Sequence, residues 1–250
     1  MAHRYGQYCP LALAVELLCE RWTLLVVSRL IDGCKQFNEI HRGVPRISPS
    51  LLSRRLSELE RAGLVKRGPA RKGLPRSCML TPAGQELAPI IDALAVWGQR
   101  WSRDMKKDDL DIAFLAWSMH RNINNERMPP GRTVIEFQFR NAPPDGRQFW
   151  LVHEHGTTDM CLQSPGYDVD LQVRADLRQF IEAWRGIRDL RQEIQAGRVQ
   201  VLGPNVLCKQ FPSWLLLSGL APHPRLREGR EHRLAAACGN AGSTSRYGQS

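Results

Sequence analysis

The sequence has no long apolar run and no paired cysteine motif. No stretch approaches the roughly 18 uninterrupted apolar residues that a transmembrane helix needs. The one signal-like stretch, Cys9 to Cys19, is interrupted by Glu16, so we expect no secretory signal. The seven cysteines include no C-x-x-C pair and fit neither a disulfide framework nor a zinc ligand set. We therefore expect reduced thiols and a cytoplasmic protein.

Motifs for catalysis are also missing. The chain has no G-x-S-x-G elbow, phosphate-binding loop, H-E-x-x-H pair or G-x-G-x-x-G turn. His153 and His155 are two apart on a predicted strand and so face one side, but no third metal ligand lies near them in the sequence. We therefore expect no enzyme activity, no cofactor and no metal site.

Positive charge is concentrated in one part of the chain. The formal net charge is +10, of which residues 1–107 contribute +9, residues 108–221 contribute −2 and residues 222–250 contribute +3. A basic small domain favours an acidic partner, such as nucleic acid or an anionic surface. The 250 residues are divided accordingly into a first domain at 1–107, a second domain at 108–221 and a tail at 222–250.

A helix with one apolar and one cationic face is predicted from Ser48 to Ala62. Ser48 can cap its first turn, Pro49 suits the first helical position and Gly63 suits the stop. The apolar stripe consists of leucines at helical spacing: Leu52, Leu56 and Leu59. Hydroxyl and guanidinium groups form the opposite face: Ser50, Arg54, Ser57 and Arg61. This face suits insertion into a major groove, although an ordinary solvated helix face has the same pattern.

Two short strands with a basic connection follow this helix. Leu64 to Arg67 and Ser77 to Leu80 predict a hairpin, and its tip carries three basic residues: Arg71, Lys72 and Arg76. Such a tip can lie along the DNA backbone or minor groove, where phosphate contacts are independent of sequence and sensitive to salt. Helix, turn, helix and basic hairpin is the order of a winged helix.

The last helix of the first domain carries a strongly apolar stripe. Its members recur every three or four residues: Leu87, Ile90, Leu94, Trp97 and Trp101. This is more apolar surface than one small domain needs. It predicts a two-fold dimer interface, which would match the palindromic half-sites that winged-helix dimers bind. Core packing within the chain is the alternative.

Seven short blocks between residues 8 and 101 carry a family resemblance. The blocks are Tyr8-Cys9-Pro10, Arg21-Trp22-Thr23-Leu24-Leu25, Phe37-Asn38-Glu39-Ile40, Ile47-Ser48-Pro49, Leu51-Leu52-Ser53-Arg54-Arg55-Leu56, Leu59-Glu60-Arg61-Ala62-Gly63-Leu64-Val65 and Leu80-Thr81-Pro82-Ala83-Gly84. In these blocks the chain resembles the HxlR-type winged helix-turn-helix regulators. The resemblance implies a homodimeric bacterial transcription regulator of double-stranded DNA operators, with the helix at 48–62 in the groove and dimer contacts from the first and last helices. One departure is Cys78, where the family usually carries an aromatic residue.

The residues and the resemblance together predict two kinds of site in the first domain. The candidate DNA-binding residues are Ser48, Ser50, Arg54, Arg55, Ser57, Arg61, Arg71, Lys72 and Arg76. In some HxlR-type members a cysteine at the position of Cys9 senses oxidants or electrophiles. Cys9 precedes a predicted helix N-terminus, whose dipole favours the thiolate. The alternative for Cys9 is a half-buried structural cysteine.

The second domain has the pattern of an α+β fold. A largely covered helix is predicted over Leu110 to Asn122. Alternating apolar residues predict strands over 132–140, 149–153, 158–164, 168–174 and 199–202. Helices are predicted over 177–184, 187–196 and, interrupted by Pro212, 205–219. The fold class of the whole chain is therefore a mainly α winged helix followed by a sheet-and-helix domain.

The second domain resembles the sterol carrier protein type 2 (SCP2) domain. Three segments carry this resemblance: the strand with Ile135, Phe137 and Phe139, the 168–174 strand and the segment Gly197 to Gly203. This resemblance implies a sheet covered by helices around an apolar tunnel for an acyl chain, a sterol or a similar ligand. The candidate ligand-binding residues are Ile135, Phe137, Phe139, Phe149, Phe180, Trp184, Phe211 and Trp214. The alternative is that these side chains fill a solid core.

Residues 222–250 contain no Ile, Val, Phe, Met or Trp and are expected to be a disordered basic tail. Three functional hypotheses remain open at this point. The first is a DNA-binding regulator whose second domain binds an apolar effector. The second is a lipid-binding or lipid-presenting protein whose winged helix serves mainly for dimerisation. The third is a regulator that senses thiol oxidation through Cys9.

Overall fold

The computed structural model describes residues 5–69, 76–143 and 146–227. Six helices and two strands form the first part of the chain. They are α1 (Pro10–Leu18), α2 (Thr23–Ile31), α3 (Phe37–Gly43), α4 (Pro49–Arg61), β1 (Val65–Arg67), β2 (Cys78–Leu80), α5 (Pro82–Gln85) and α6 (Ala88–Trp101). β1 and β2 pair antiparallel, with Val65 opposite Leu80, so the predicted hairpin is confirmed. Its tip residues Arg71 and Lys72 lie outside the described residues.

The second part is a five-stranded sheet with helices. Its helices are α7 (Ile112–His120), α8 (Leu177–Trp184), α9 (Leu190–Gln195) and α10 (Asn205–Gln210), with short 3-10 turns at Lys107–Asp109, Asn125–Arg127 and Phe211–Ser213. Its strands are β3 (Thr133–Arg140), β4 (Gln148–Glu154), β5 (Thr157–Cys161), β6 (Leu171–Asp176) and β7 (Val199–Leu202). The strand order is β5-β4-β3-β6-β7, and β3 and β6 run parallel. The mixed sheet with helices confirms the α+β prediction for this region.

Several element boundaries differ from the sequence predictions. The last helix ends at Gln210 instead of continuing to 219, because Pro212 has no N–H to donate and only a single 3-10 turn follows. β5 ends at Cys161 and β6 begins at Leu171. His155 is not on a strand with His153, because it adopts a left-handed turn conformation, with φ 53°, after β4 ends.

The chain builds two hydrophobic cores, which are connected through Trp117 and through Met160, a half-buried residue that packs against both. The first core contains residues of α2, α3, α4 and the wing, and the second lies between the sheet and its helices. Trp117 belongs to α7, but it is buried in the first core. A Cβ on Gly43 would lie 2.9 Å from the Trp117 ring, so only glycine allows this close approach.

Charged and polar side chains lie around the place where Trp117 enters the first core. Arg29 stacks on the Trp117 ring at 4.3 Å from its centroid, and Arg121 lies over it at 5.4 Å. Arg121 also donates to the carbonyl oxygen of Asp32. Arg46 forms an ion pair with Asp111 at 2.8 Å. These contacts hold α7 against α2 and α3.

A second contact between the two parts involves α6 and the start of the predicted tail. Gln99 donates to the carbonyl oxygen of Arg185 and accepts from its guanidinium. The amides of Leu226 and Arg227 donate to the carbonyl oxygen of Arg100, and Arg225 binds Asp104. Residues 222–227 therefore differ from the predicted disordered tail, because hydrogen bonds to the end of α6 hold them. Residues 228–250 lie outside the described residues.

No helix within residues 5–69, 76–143 and 146–227 has both the length and the apolar character needed to cross a bilayer.

Candidate nucleic-acid interface

Local signals place α4 as the sequence predicts. The Ser48 hydroxyl accepts a hydrogen bond from the Leu51 amide at 3.3 Å, and Pro49 occupies the first helical position. Gly63 adopts φ 73° just after the helix, a left-handed conformation that favours glycine. The three leucines of the apolar stripe are buried in the first core. The opposite face of α4 is therefore turned to solvent.

The exposed face of α4 brings together four of the nine predicted DNA-binding residues. Ser48, Ser50, Arg54 and Arg61 are exposed, and the Arg54 side chain is 70% accessible. Ser48 and Ser50 share a hydrogen bond at 3.2 Å, so both hydroxyls lie at the start of the helix. Arg76 is exposed at the start of β2. A helix with short hydroxyls and exposed guanidinium groups can contact both phosphates and base edges.

Arg55 does not belong to this exposed face, which corrects its assignment as a DNA-binding residue. Its side chain is only 9% accessible. Its guanidinium binds the carboxylates of Glu58 at 2.5 Å and Glu20 at 2.9 Å, and it donates to the carbonyl oxygen of Arg21. The physical reason lies in the helix period, because Arg55 follows Leu52 by three residues and precedes Leu59 by four. Arg55 therefore joins α4 to the segment before α2.

Two residues that the sequence analysis did not single out hold the interface together. Glu58 accepts hydrogen bonds from both Arg54 and Arg55. Burial alone would raise the pKa of Glu58, but these two guanidinium groups lower it, so the carboxylate stays ionised. Arg67 of β1 donates to Ser57 at 2.8 Å and lies 3.0 Å from the carboxylate of Glu60. Ser57 is therefore half-buried and joins the helix to the wing. The role of Glu58 could have been predicted from the sequence, because Arg54 and Glu58 are four residues apart on one helix.

The predicted ligand-binding residues form a packed aromatic core. All eight, from Ile135 to Trp214, are at most 5% exposed. The rings of Phe137 and Phe149 stack at 4.6 Å, and Phe180 meets Phe137 edge-on at 5.8 Å. Phe211 lies 6.3 Å from Phe137 and 6.1 Å from Trp214. These side chains belong to one buried cluster, which favours the alternative of a solid core over the predicted tunnel.

The remaining site predictions concern cysteine and histidine. Cys9 is exposed and immediately precedes α1, and its side chain makes no capping hydrogen bond. His153 is buried, and its Nδ1 lies 3.0 Å from the Thr158 hydroxyl, which itself donates to Asn125. Within the described part of the chain, no group of three or more His, Cys, Asp or Glu side chains is placed to hold a metal ion.

Sequence comparison identifies the region that carries this geometry. The profile of the HxlR-like helix-turn-helix family matches residues 17–106. The uncharacterized HTH-type transcriptional regulator YvaP of Bacillus subtilis is 38% identical over 98 residues, which are 38% of this chain and 91% of YvaP. The chain belongs to the HxlR-like helix-turn-helix family. Its first hundred residues therefore place it among the transcription regulators.

Other HxlR-like relatives match the same region. An uncharacterized HTH-type transcriptional regulator of Methanothermobacter thermautotrophicus is 38% identical over 94 residues, covering 37% of this chain and 72% of the relative. The HTH-type transcriptional regulator YodB of B. subtilis is 33% identical over 99 residues, covering 37% of this chain and 85% of YodB. The solved reduced form of YodB has a TM-score of 0.33 and covers 37% of this chain and 93% of that chain. The family assignment rests on the sequence matches, and the sheet domain lies outside the family profile.

Proposed function

We propose that this HxlR-like chain is a homodimeric regulator that inserts α4 into the major groove of a double-stranded DNA operator. The observation that carries the proposal is the exposed face of α4, which presents Ser48 and Ser50 at its start and Arg54 and Arg61 further along. The helix is joined to the wing through Ser57 and Arg67. Arginine side chains on a helix can bind guanine edges in two-point contacts, and the surrounding positive charge attracts phosphates. The proposal assigns catalysis to neither domain.

Fluorescence anisotropy on the duplex upstream of the chain's own gene tests this function. We expect the logarithm of the association constant to fall linearly with the logarithm of the salt concentration, with a slope of about −0.9 for each phosphate neutralised. We expect a scrambled duplex to bind far more weakly at every salt concentration. Equal affinity for the two duplexes across the salt series, and for a panel of neighbouring promoters, would contradict the proposal and favour the lipid-binding alternative.

Exposed apolar residues on α1 and α6 support the homodimer. The described residues of this surface are Leu11, Leu13, Ile90, Leu94, Trp97 and Trp101. Trp97 is 60% exposed, although tryptophan is a residue type that is usually well covered. The four α6 residues recur at helical spacing and share one face, and an exposed apolar stripe of this kind marks an interaction surface. A two-fold dimer would place α6 against α6.

Replacing Leu94 by glutamate is expected to abolish the dimer. Leu94 is 50% exposed in the protomer, so the carboxylate can stay solvated in the monomer but would be desolvated in the interface. Sedimentation equilibrium should show the mass falling from twice 28.4 kDa to 28.4 kDa. Val206→Glu is the matched control, since Val206 is an exposed apolar residue on α10. A monomeric wild-type chain, or a Leu94→Glu dimer of unchanged strength, would contradict the interface.

The packing of the second domain gives little support to the hypothesis that an apolar effector binds inside it. Because its eight aromatic and aliphatic candidates pack against each other, a ligand in the expected tunnel would have to displace them. The likeness to the SCP2 domain remains a prediction from the sequence. The burial of Trp117 in the first core and the hydrogen bonds between Gln99 and Arg185 support a different role, in which the second domain stabilises the winged helix.

Thiol redox sensing is the second candidate function. It is favoured by the position of Cys9, which is exposed just before α1, beside the proposed dimer surface. Solved relatives include a diamide-treated YodB and a redox regulator, HypR. We expect diamide to release the wild-type chain from its operator and Cys9→Ser to remove this response. Cys19→Ser is the control, because Cys19 is also exposed. An unchanged response of the Cys9→Ser variant would reject this function.

A further inference from the structure

A cavity of about 420 Å³ opens at the base of the wing. It lies between the end of α2, the two wing strands and the start of α6, and Leu30 and Leu80 contribute to its apolar wall. Its volume is within the range of roughly 300–1,000 Å³ that is typical of small-molecule sites. Among the described residues that line it, none belongs to α4 or to the second domain. The cavity is therefore distinct from both the DNA-binding face and the predicted tunnel.

The charges around this wing-base cavity are of one sign. Lys35 and Lys66 line it, and none of the other described lining residues is charged. Both lysines are exposed, so their ammonium groups can turn towards an occupant or towards solvent. Asp32, close by in the sequence, does not line the cavity, and its carboxylate lies 3.3 Å from Arg29. An anionic group in the cavity would therefore meet two cations and no competing carboxylate from its described walls.

Two thiols complete the wall. Cys34 and Cys78 are buried, and burial raises the pKa of both, so at neutral pH they are uncharged, weakly polar surfaces. Both thiol side chains are small, and both belong to the lining of the cavity.

We propose that the wing-base cavity is an effector site for a small amphipathic anion, with its apolar body against Leu30 and Leu80 and its anionic group between Lys35 and Lys66. Apolar walls with a few convergent polar groups are the usual composition of such sites. Burial of the apolar body supplies affinity, and the two ammonium groups select for negative charge.

The site is mechanically connected to the DNA-binding face. The Cys78 amide donates to the carbonyl oxygen of Lys35 at 2.6 Å, which joins the wing to the loop after α2. On β1, Arg67 holds Ser57 and Glu60 of α4 next to Lys66. An occupant that moves the wing strands therefore changes their position relative to α4. The occupant alters operator affinity because it binds the free and DNA-bound conformations with unequal affinity. This regulatory step rests on the proposed DNA-binding function.

Fluorescence titration with two matched dyes on the full chain, without DNA, tests the site. The probes are 1-anilinonaphthalene-8-sulfonate and N-phenyl-1-naphthylamine, which has the same rings without the sulfonate. We expect the sulfonate to bind with one site per chain and at least tenfold more tightly than the neutral dye. Lys66→Gln should weaken the sulfonate alone, whereas Lys209→Gln, on the exposed end of α10, should leave both dyes unchanged.

Cavity-filling variants locate the bound dye. Cys78→Phe places a ring in the cavity and should reduce binding of both dyes at least tenfold, with an unchanged circular dichroism spectrum. Ala88→Leu, on the α6 side, should do the same if Cys78→Phe does not fold. Unchanged binding in a folded filling variant, or equal affinity for the two dyes, would overturn the site.

Operator titration then isolates the regulatory step: the sulfonate should change the operator Kd at least threefold in the wild type but not in the filled variant. Dye binding with an unchanged operator Kd would overturn the regulation, and dye binding by a chain without operator affinity would reject the proposed function alone.

Discussion

Trp117→Ala is expected to lower the free energy of unfolding by about 3–5 kcal/mol, the range for removing a large buried aromatic side chain. Trp117 is only 5% exposed, and its indole fills the first core although α7 belongs to the second part of the chain. The ring also supports Arg29 and Arg121 through cation–π contacts. Burial lowers the pKa of Arg29, although Asp32 opposes this effect, so the ring and the carboxylate together hold a partly desolvated cation. The variant leaves a cavity and also removes the nearer of the two aromatic rings over which Arg29 lies.

Differential scanning calorimetry distinguishes this junction from ordinary core packing. We expect the wild-type chain to unfold in a single transition and Trp117→Ala to show two, because the variant loses the α7 side chain that is buried in the first core. Phe114→Ala is the matched control, since Phe114 lies on the same helix and stacks on Trp117 but is 43% exposed. We expect the control to lose about 1 kcal/mol, as for a half-exposed contact, and to keep one transition. A loss below about 1 kcal/mol in Trp117→Ala, with one transition retained, would show that the two parts are coupled elsewhere.

Arg54→Ala is expected to reduce operator affinity roughly 10- to 100-fold, or about 1–3 kcal/mol, if the guanidinium makes a two-point contact with a base. The protomer itself should be little affected. The Arg54 ion pair with Glu58 is largely solvent-exposed on the arginine side, and i, i+4 pairs of this kind contribute only about 0.3–0.5 kcal/mol. Glu58 keeps its second partner, Arg55. The loss of affinity can therefore be assigned to the interface and not to unfolding.

The ratio of affinities for the operator and a scrambled duplex separates base contacts from phosphate contacts. A base contact predicts that Arg54→Ala lowers this ratio, whereas a phosphate contact lowers both affinities equally and reduces the salt slope by about one. Arg174→Ala is the matched control, because Arg174 is an exposed arginine on β6 in the second domain. An unchanged ratio and unchanged affinity in Arg54→Ala would show that α4 does not enter the groove in this orientation.

Much of the winged helix could be predicted because its signals are local. The start of α4 follows from the hydroxyl of Ser48 and the fixed φ of Pro49, and its end follows from the conformational freedom of Gly63. The leucine stripe then dictates which face is buried. The same period could have removed Arg55 from the DNA-binding set, because it lies on the side of Leu52 and Leu59. The charge of an arginine alone predicts that its side chain lies in solvent, and for Arg55 that prediction was wrong.

The second domain shows the opposite case. Alternation along β3 correctly places Phe137 and Glu136 on opposite faces of the sheet. Glu136 is buried as well, and its carboxylate accepts hydrogen bonds from Gln138 and Gln172. Alternation does not tell whether the inward aromatic residues line a tunnel or fill a core. That depends on how far the covering helices lie from the sheet, and the stacking of Phe137 on Phe149 shows that the rings occupy the space themselves.

The sequence by itself determined the winged helix, the exposed cationic face of α4 and the family, since capping, periodicity and short motifs act within a few neighbouring residues. Only the tertiary structure decided what Trp117, Arg55 and Cys78 do, because their partners are distant in the chain: the first core around Gly43, the carboxylate of Glu20 and the carbonyl oxygen of Lys35. A pattern of residue types specifies which side chains are buried. The identity of the atoms that they contact is set by packing between elements, and it is this packing that joins the two parts and leaves a cavity beneath the wing.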